Sequence, residues 1–388
     1  MPTPPLTCQK DRFSLPPDLH YLNCAYMGPL PRAGQEAGIR ALGMKADPTS
    51  IEPRHFFEES DRVREKFARL VGARDPNRVA IHPAVSYGVA TAAKNLPLSR
   101  GARILIVEEQ FPGNVYAWRR MAAEAGGAIH TVARPDGTRV GREWNERILD
   151  AITPVTEIVA LPTVHWTDGT RFDLGAIGVR AREVGAALVV DATQSAGAVP
   201  FDVVEVRPDL VVAAAYKWLL GPYSVALTWL GERFDHGVPL EETWIGRAGS
   251  EDFKGLVQYT DEYQPGAIRY DVGERSNFHL LPVVSATLDL VLEWTPDGIS
   301  EYVRTLSEPL LGSAEELGFG LEGAEYRSPH LFGLRMPEGL DLADVRTVLE
   351  ERRISASLRG SSLRISPNVY NDESDIQALV EALRDLRA

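Results

Sequence analysis

Seven short apolar runs between Arg78 and Leu230 constrain this chain more than any other feature. They read RVAIHP, ARILIVEEQ, GAIHTVA, EIVALPTV, ALVVDAT, DLVVAAAY and SVALTWL. The first three are each followed by a stretch of helical periodicity, SYGVATAAKNL, NVYAWRRMAAEAG and REWNERILDAI. Continuous Leu, Val and Ala runs suit strands buried on both faces of a parallel sheet. The alternation predicts βαβ units around a mostly parallel sheet up to about Leu230, an α/β fold class.

The rest of the chain is organised differently. Residues 1–20 read as a Pro-rich arm, and 21–260 as a large domain that opens with a strand and turn at YLNCAYMGPLPRAG. The pattern FFEESDRVREKFARLV predicts an amphipathic helix from Phe56 to Val71. From Gly231 to Pro265 apolar runs are scarce, which predicts a long loop. Residues 261–388 read as a smaller α+β domain, with helices at VVSATLDLVLEW, DLADVRTVLEERR and ESDIQALVEALRDL and strands at FGLRMP and SSLRISP.

At 388 residues there is room for a sizeable core. The net charge of −13 argues against a nucleic-acid partner, because phosphate neutralisation needs clustered Lys and Arg. Cys8 and Cys24 are the only cysteines, too few for a disulfide framework or a cysteine-rich metal site. MPTPPLTCQKDRF lacks the apolar core of a signal peptide, and no run approaches membrane-spanning length, so a cytoplasmic protein with no membrane partner is expected.

Chemistry concentrates at LVVDATQSAGAVPFDVVEVRPDLVVAAAYKWLLGP. Asp191 ends one apolar run, and Lys217 follows another. Side chains at the carboxyl ends of parallel strands face the crevice where α/β proteins bind ligands. A lysine and a carboxylate emerging there suggest an enzyme that holds pyridoxal phosphate, the lysine by a Schiff base and the carboxylate by pairing with the pyridine nitrogen. Ser86 stands at a predicted helix start, where it is either a phosphate contact or an ordinary N-cap. Gly88 allows close approach to a ligand or makes a turn. Phe111 follows a strand as a stacking ring or a core residue. Gln194 lies three residues after Asp191 and Tyr216 precedes Lys217, so both can reach the same ligand. Arg364, in a strand of the small domain, suits a substrate carboxylate.

Other patterns exclude chemistry. Gly318, Gly320 and Gly323 spell Gly-x-Gly-x-x-Gly, but after a helical pattern and before AEYRSP, so no dinucleotide site is expected. There is no P-loop, no His-Glu-x-x-His and no Gly-x-Ser-x-Gly. His165 has no ligand-spaced partner, so no metal is predicted.

Together these segments resemble the class V aminotransferase family of pyridoxal-phosphate enzymes, from YLNCAYMGP near the start to RISPNVYNDESDI near the end. That family also includes cysteine desulfurases, kynureninases and isopenicillin N epimerase. The resemblance implies a seven-stranded sheet of fold type I and a homodimer with shared active sites. It implies Lys217 as the cofactor's lysine, Asp191 as partner of the ring nitrogen and Gln194 as contact to the phenolic oxygen. Val85 and Ser86 fall where the family binds phosphate, Phe111 at the stacking ring and Arg364 at the carboxylate-binding arginine. Tyr216 joins the catalytic set. Ser276 and Asn277, in GERSNFHLLP, are similar to the segment that crosses to the partner. Asn23, His165, Trp166 and Trp244 are expected around the substrate, a small amino acid.

The departures bear on the reaction. Desulfurases carry a nucleophilic cysteine before the arginine strand, and ERRISASLRGSS has none. The residue before the lysine is Tyr216, as in kynureninases, yet the DATQ frame is not kynureninase-like. An aminotransferase is the leading reading, with a lyase or an epimerase as alternatives.

Overall fold

The computed structural model describes residues 5–387. A short strand β1 (His20–Tyr21) comes first, and seven strands then form one sheet. They are β2 (Val79–His82), β3 (Arg103–Val107), β4 (Ala128–Val132), β5 (Thr156–Pro162), β6 (Ala187–Asp191), β7 (Leu210–Ala214) and β8 (Ala226–Leu230). Their order is β2-β8-β7-β6-β5-β3-β4, and only β8 runs antiparallel to its neighbours. These seven strands coincide with the seven apolar runs.

Both faces of the sheet are covered, which explains why the strands read as continuous apolar runs rather than alternating ones. Leu105, Val107, Val159, Leu161, Leu188 and Val190 pack on one side with Val63 and Phe67 of α2 (Glu58–Leu70) and Trp144 and Ile148 of α5 (Gly141–Ala151). Ile104, Ile106, Ile158, Ala160 and Val189 pack on the other with Val89 and Ala92 of α3 (Val85–Asn95) and Trp118 of α4 (Tyr116–Ala125). The period-2 alternation of Cβ directions sends neighbours in one strand into two separate cores. Each fully buried Leu or Ile contributes roughly 1.5–3 kcal/mol.

The small domain holds a three-stranded antiparallel sheet of β9 (Phe332–Arg335), β11 (Ser357–Arg359) and β12 (Ser362–Ile365), in the order β11-β12-β9. Helices α10 (Leu342–Glu351) and α11 (Glu373–Asp385) cover it, and Asp372 caps α11 in a reciprocal box with Asp375. The start of the chain joins this domain. β1 pairs in parallel with β10 (Ile354–Ser355), and Leu22 lies in the small core.

The cores do not divide at residue 261. Helix α8 (Leu281–Trp294) buries Leu281, Val284, Leu288 and Val291 in the large core. Helix α9 (Pro296–Glu316) leaves that core at Ile299 and enters the small one with Leu306, Leu310 and Ala314. A helical repeat states which face is apolar and not which domain covers it. The glycines 318, 320 and 323 follow α9, with Gly320 bridged to Arg335 and no helix opening after them. No helix among the described residues is long and apolar enough to cross a membrane.

Candidate active site

Asp191 is the last residue of β6, and Lys217 follows the end of β7 by three residues. Parallel pairing of these strands, with Asp191 opposite Val212, brings both side chains to the carboxyl edge of the sheet. There they share a cavity of about 300 Å³ with Val85, Ser86, Phe111, Trp166, Gln194 and Tyr216. Eight of the sequence candidates therefore meet at one place.

Burial lowers the Lys217 amine to about 8, against the raising influence of Asp191 and with help from the positive charge of Arg364. Burial also pushes the Asp191 carboxyl up, despite the bond it accepts from the Thr193 amide at 3.0 Å. The amine lies 5.5 Å from the Phe111 ring centroid and 5.6 Å from that of Tyr216. Gly28 secures the lysine loop: its N–H donates to the Tyr216 carbonyl, and a Cβ there would sit 2.1 Å from the Lys217 carbonyl oxygen. Gln194 donates to the Ala25 carbonyl at 3.2 Å and accepts from the Trp218 indole at 3.0 Å, which leaves it one amide hydrogen.

Helix α3 begins at the cavity. Its N-cap is Ala84, so no side chain satisfies the first turn, and the free N–H groups at Val85 and Ser86 form a seat for an anion. Ser86 is the second helical residue and not the cap. Gly88 serves neither ligand nor turn: a Cβ there would meet Thr228 Oγ1 at 2.8 Å and Val212 Cγ2 at 3.0 Å, so it allows the helix to pack closely on the sheet.

The other candidates lie elsewhere. His165 is fully buried away from the cavity, with Nδ1 against Thr167 Oγ1 at 2.7 Å, Nε2 against the Glu108 carbonyl at 3.2 Å, and Trp144 packed on the ring. It sits where the chain enters a tight turn, closed by the Gly169 amide donating to the His165 carbonyl at 2.9 Å, and Trp166, the next residue, takes the cavity side. Trp244 packs among Phe56, Phe57 and Phe253 instead of lining the cavity. Ser276 donates to the Phe56 carbonyl, and Asn277 caps the turn before α8; both line a separate cavity of about 260 Å³. Arg364 is buried behind Trp166, donating to its carbonyl at 2.8 Å, and Asn23 accepts from Ser357 Oγ at 2.8 Å in the same neighbourhood.

Tyr223 and Ser224 also line the cavity, as do Gln110 and Thr193, and nothing in the sequence marks them for it. Tyr223 packs on Tyr216 at 4.7 Å, and Ser224 follows it with φ of +67°. The GPYS turn is their only sequence signal, and it marks a turn without showing what the turn faces.

The aminotransferase class-V family model matches residues 52–379. The chain belongs to that family. Isopenicillin N epimerase of Streptomyces clavuligerus is 28% identical over 389 residues, 96% of both chains, and the uncharacterized aminotransferase YcbU of Bacillus subtilis is 26% identical over 329 residues, 84% of both. The solved structure of a lysine-to-alanine mutant of C-DES, with glycine covalently linked to its PLP cofactor, superposes with a TM-score of 0.84 at 20% identity, covering 98% of this chain and 100% of that one. The fold is that of the fold type I pyridoxal-phosphate enzymes.

Pyridoxal phosphate is the cofactor of this class-V enzyme, and the cavity residues fit it. The uncapped start of α3 suits the phosphate, and Phe111 offers a flat apolar face. Asp191 is a buried carboxylate held by Thr193, suited to a protonated ring nitrogen. The Lys217 amine is the only amine among the lining residues.

Proposed function

We propose that this class-V enzyme is an aminotransferase that moves the amino group of an amino acid to a 2-oxo acid. The observation that carries the reading is the proton inventory of the cavity. Lys217 is the one amine lining it and is held near 8, where it both takes and gives a proton around neutral pH. Transamination needs one such group, whereas epimerisation through two bases needs a second; the Tyr216 and Tyr223 hydroxyls also line the cavity, but burial pushes the Tyr216 hydroxyl up, further from neutral pH. His165, the imidazole next to the cavity residue Trp166, has both ring nitrogens engaged away from the cavity. The name of the Bacillus subtilis relative agrees with this reading.

Pyridoxal phosphate supplies the electron sink that makes a Cα proton removable. The protein does the rest. The α3 N-terminus anchors the phosphate, and Asp191 holds a proton on the ring nitrogen. Lys217 carries the proton taken from Cα, and Phe111 and Trp166 keep water from the reacting face. Arg364, without a carboxylate partner behind Trp166, supplies the positive charge that draws the α-carboxylate to this side of the cavity. Ser276, Asn277 and the aromatic cluster around Trp244 lie outside this cavity and are assigned to a second site across a homodimer interface, which sedimentation of the holoprotein tests.

The Tyr216–Tyr223 pair and the likeness to isopenicillin N epimerase favour epimerisation as the second reading. Holoprotein incubated with an L-amino acid and a 2-oxo acid in deuterated water separates the two. Transamination gives a new 2-oxo acid and a new amino acid in equal amounts. Deuterium at Cα with loss of chirality and no new 2-oxo acid establishes epimerisation instead, and overturns the proposal.

A further inference from the structure

Two guanidinium groups stand together behind Trp166. Ser357 of β11 pairs directly with Arg364 of β12, so Arg359, two residues further along β11, falls on the same face as its diagonal neighbour. Such neighbours lie roughly 7–8 Å apart, and like charges in this arrangement repel. The Arg359 guanidinium is 5.5 Å from the Trp166 ring centroid, and Trp166 meets Phe111 edge-on at 5.6 Å, next to the Lys217 amine. Trp166 thus stands between the pair and the active cavity, and the charge of both arginines reaches Lys217.

Neither arginine has a carboxylate partner among the described residues. Arg364 donates to the Trp166 carbonyl at 2.8 Å and, at 3.5 Å, to Ser357 Oγ; Arg359 donates to the Leu358 carbonyl at 2.9 Å. The Nε of each is buried without a partner. Burial and the charge of Arg359 lower Arg364 to about 10, which still leaves it cationic at neutral pH. Two adjacent unneutralised cations, one of them almost fully buried, are costly unless an anion arrives with the substrate. One α-carboxylate accounts for Arg364 alone. Arg359 also lines an open groove of about 430 Å³ with Asn23, Tyr26, Arg346, Glu350 and Ser357, on the far side of Trp166 from the active cavity lining.

We infer that the substrate is an amino acid with a second carboxylate on its side chain, Arg364 taking the α-carboxylate and Arg359 the distal one. The inference rests on the aminotransferase reading for its reaction, but binding tests it without turnover. Charge-assisted hydrogen bonds of this kind correspond to about tenfold to a hundredfold in affinity. Glutarate and succinate, which carry no amine, are titrated into holoprotein against butyrate, following the visible absorption of the bound cofactor. At least one dicarboxylate is expected to bind about tenfold or more tighter than butyrate, and Arg359→Gln to remove that advantage. Arg359→Lys, which keeps the charge, restores part of it.

In turnover, kcat/KM for glutamate or aspartate falls about tenfold or more in Arg359→Gln, while that for norvaline stays within about twofold, which also shows that the variant is folded. Equal binding of butyrate and both dicarboxylates, or an equal loss for acidic and neutral amino acids, overturns the inference. Tight dicarboxylate binding without amino transfer leaves it standing and refutes the aminotransferase reading alone.

Discussion

Asp271 and Asp191 are both buried carboxylates, and the protein treats them in opposite ways. Asp271 lies between Arg64 and Arg275, accepting from Arg275 at 2.8 Å, from Arg64 through both guanidinium nitrogens, and from the Ile81 amide at 2.7 Å. Burial raises its carboxyl, but the two arginines outweigh this and hold it below the usual range. Asp191 has no guanidinium partner, only Thr193 through its amide and side chain and the charge of Lys217, and burial leaves it raised. Lys217 and Arg364 share its condition, each pulled down by burial. Buried charge that is fully paired fastens the structure together. Buried charge left unpaired marks where a ligand is expected to complete the pairing.

The contrast breaks or holds on substitution. Lys217→Ala is expected to have the largest effect, lowering turnover about a thousandfold or more and removing the visible absorption of lysine-bound cofactor. Retained turnover would place the proton chemistry elsewhere. Asp271→Ala should cost about 3–5 kcal/mol of stability in urea unfolding, because it strands two buried guanidinium groups. A cost below about 1 kcal/mol would remove the distinction between the two carboxylates.

Lys217→Met moves stability the other way. The cofactor-free protein should gain up to roughly 3 kcal/mol near neutral pH, the equivalent of a shift from 10.5 to about 8. The sign follows from linkage. The unfolded chain holds the lysine proton more tightly, so the penalty is full below about pH 8 and disappears as pH rises past 10.5. The gain of the variant should therefore shrink across that window. Asp191→Asn should give a smaller gain in the cofactor-free protein, one that diminishes in acid because a raised carboxyl is destabilising only where it must ionise. The same variant should bind the cofactor more weakly. Unfolding curves taken with and without cofactor measure both effects.

The two halves of the site differ in how far sequence could reach them. Asp191 and Lys217 follow from strand endings, because an apolar run fixes where a parallel strand stops and the sheet fixes which edge that stop occupies. Val85 and Ser86 follow in the same way from a helix start. His165 and Trp244 were expected at the substrate, and the structure puts neither in the cavity. Adjacency to Trp166 could not show that the turn closed between His165 and Gly169 leaves His165 buried against Trp144 while Trp166 faces the cavity. Arg359 escaped notice because its neighbourhood depends on antiparallel register, which one strand does not contain.

By itself, the sequence determined the α/β class, the seven strands and the acid–lysine pair at their ends, because burial on both faces and strand periodicity are local properties. Only the tertiary structure decided which candidates converge on one cavity, which core claims α8, and that Arg359 stands beside Arg364. Those outcomes depend on contacts between segments, from the two strands of one hairpin to helices more than two hundred residues apart, where side-chain direction and strand register carry the information that spacing along the chain does not.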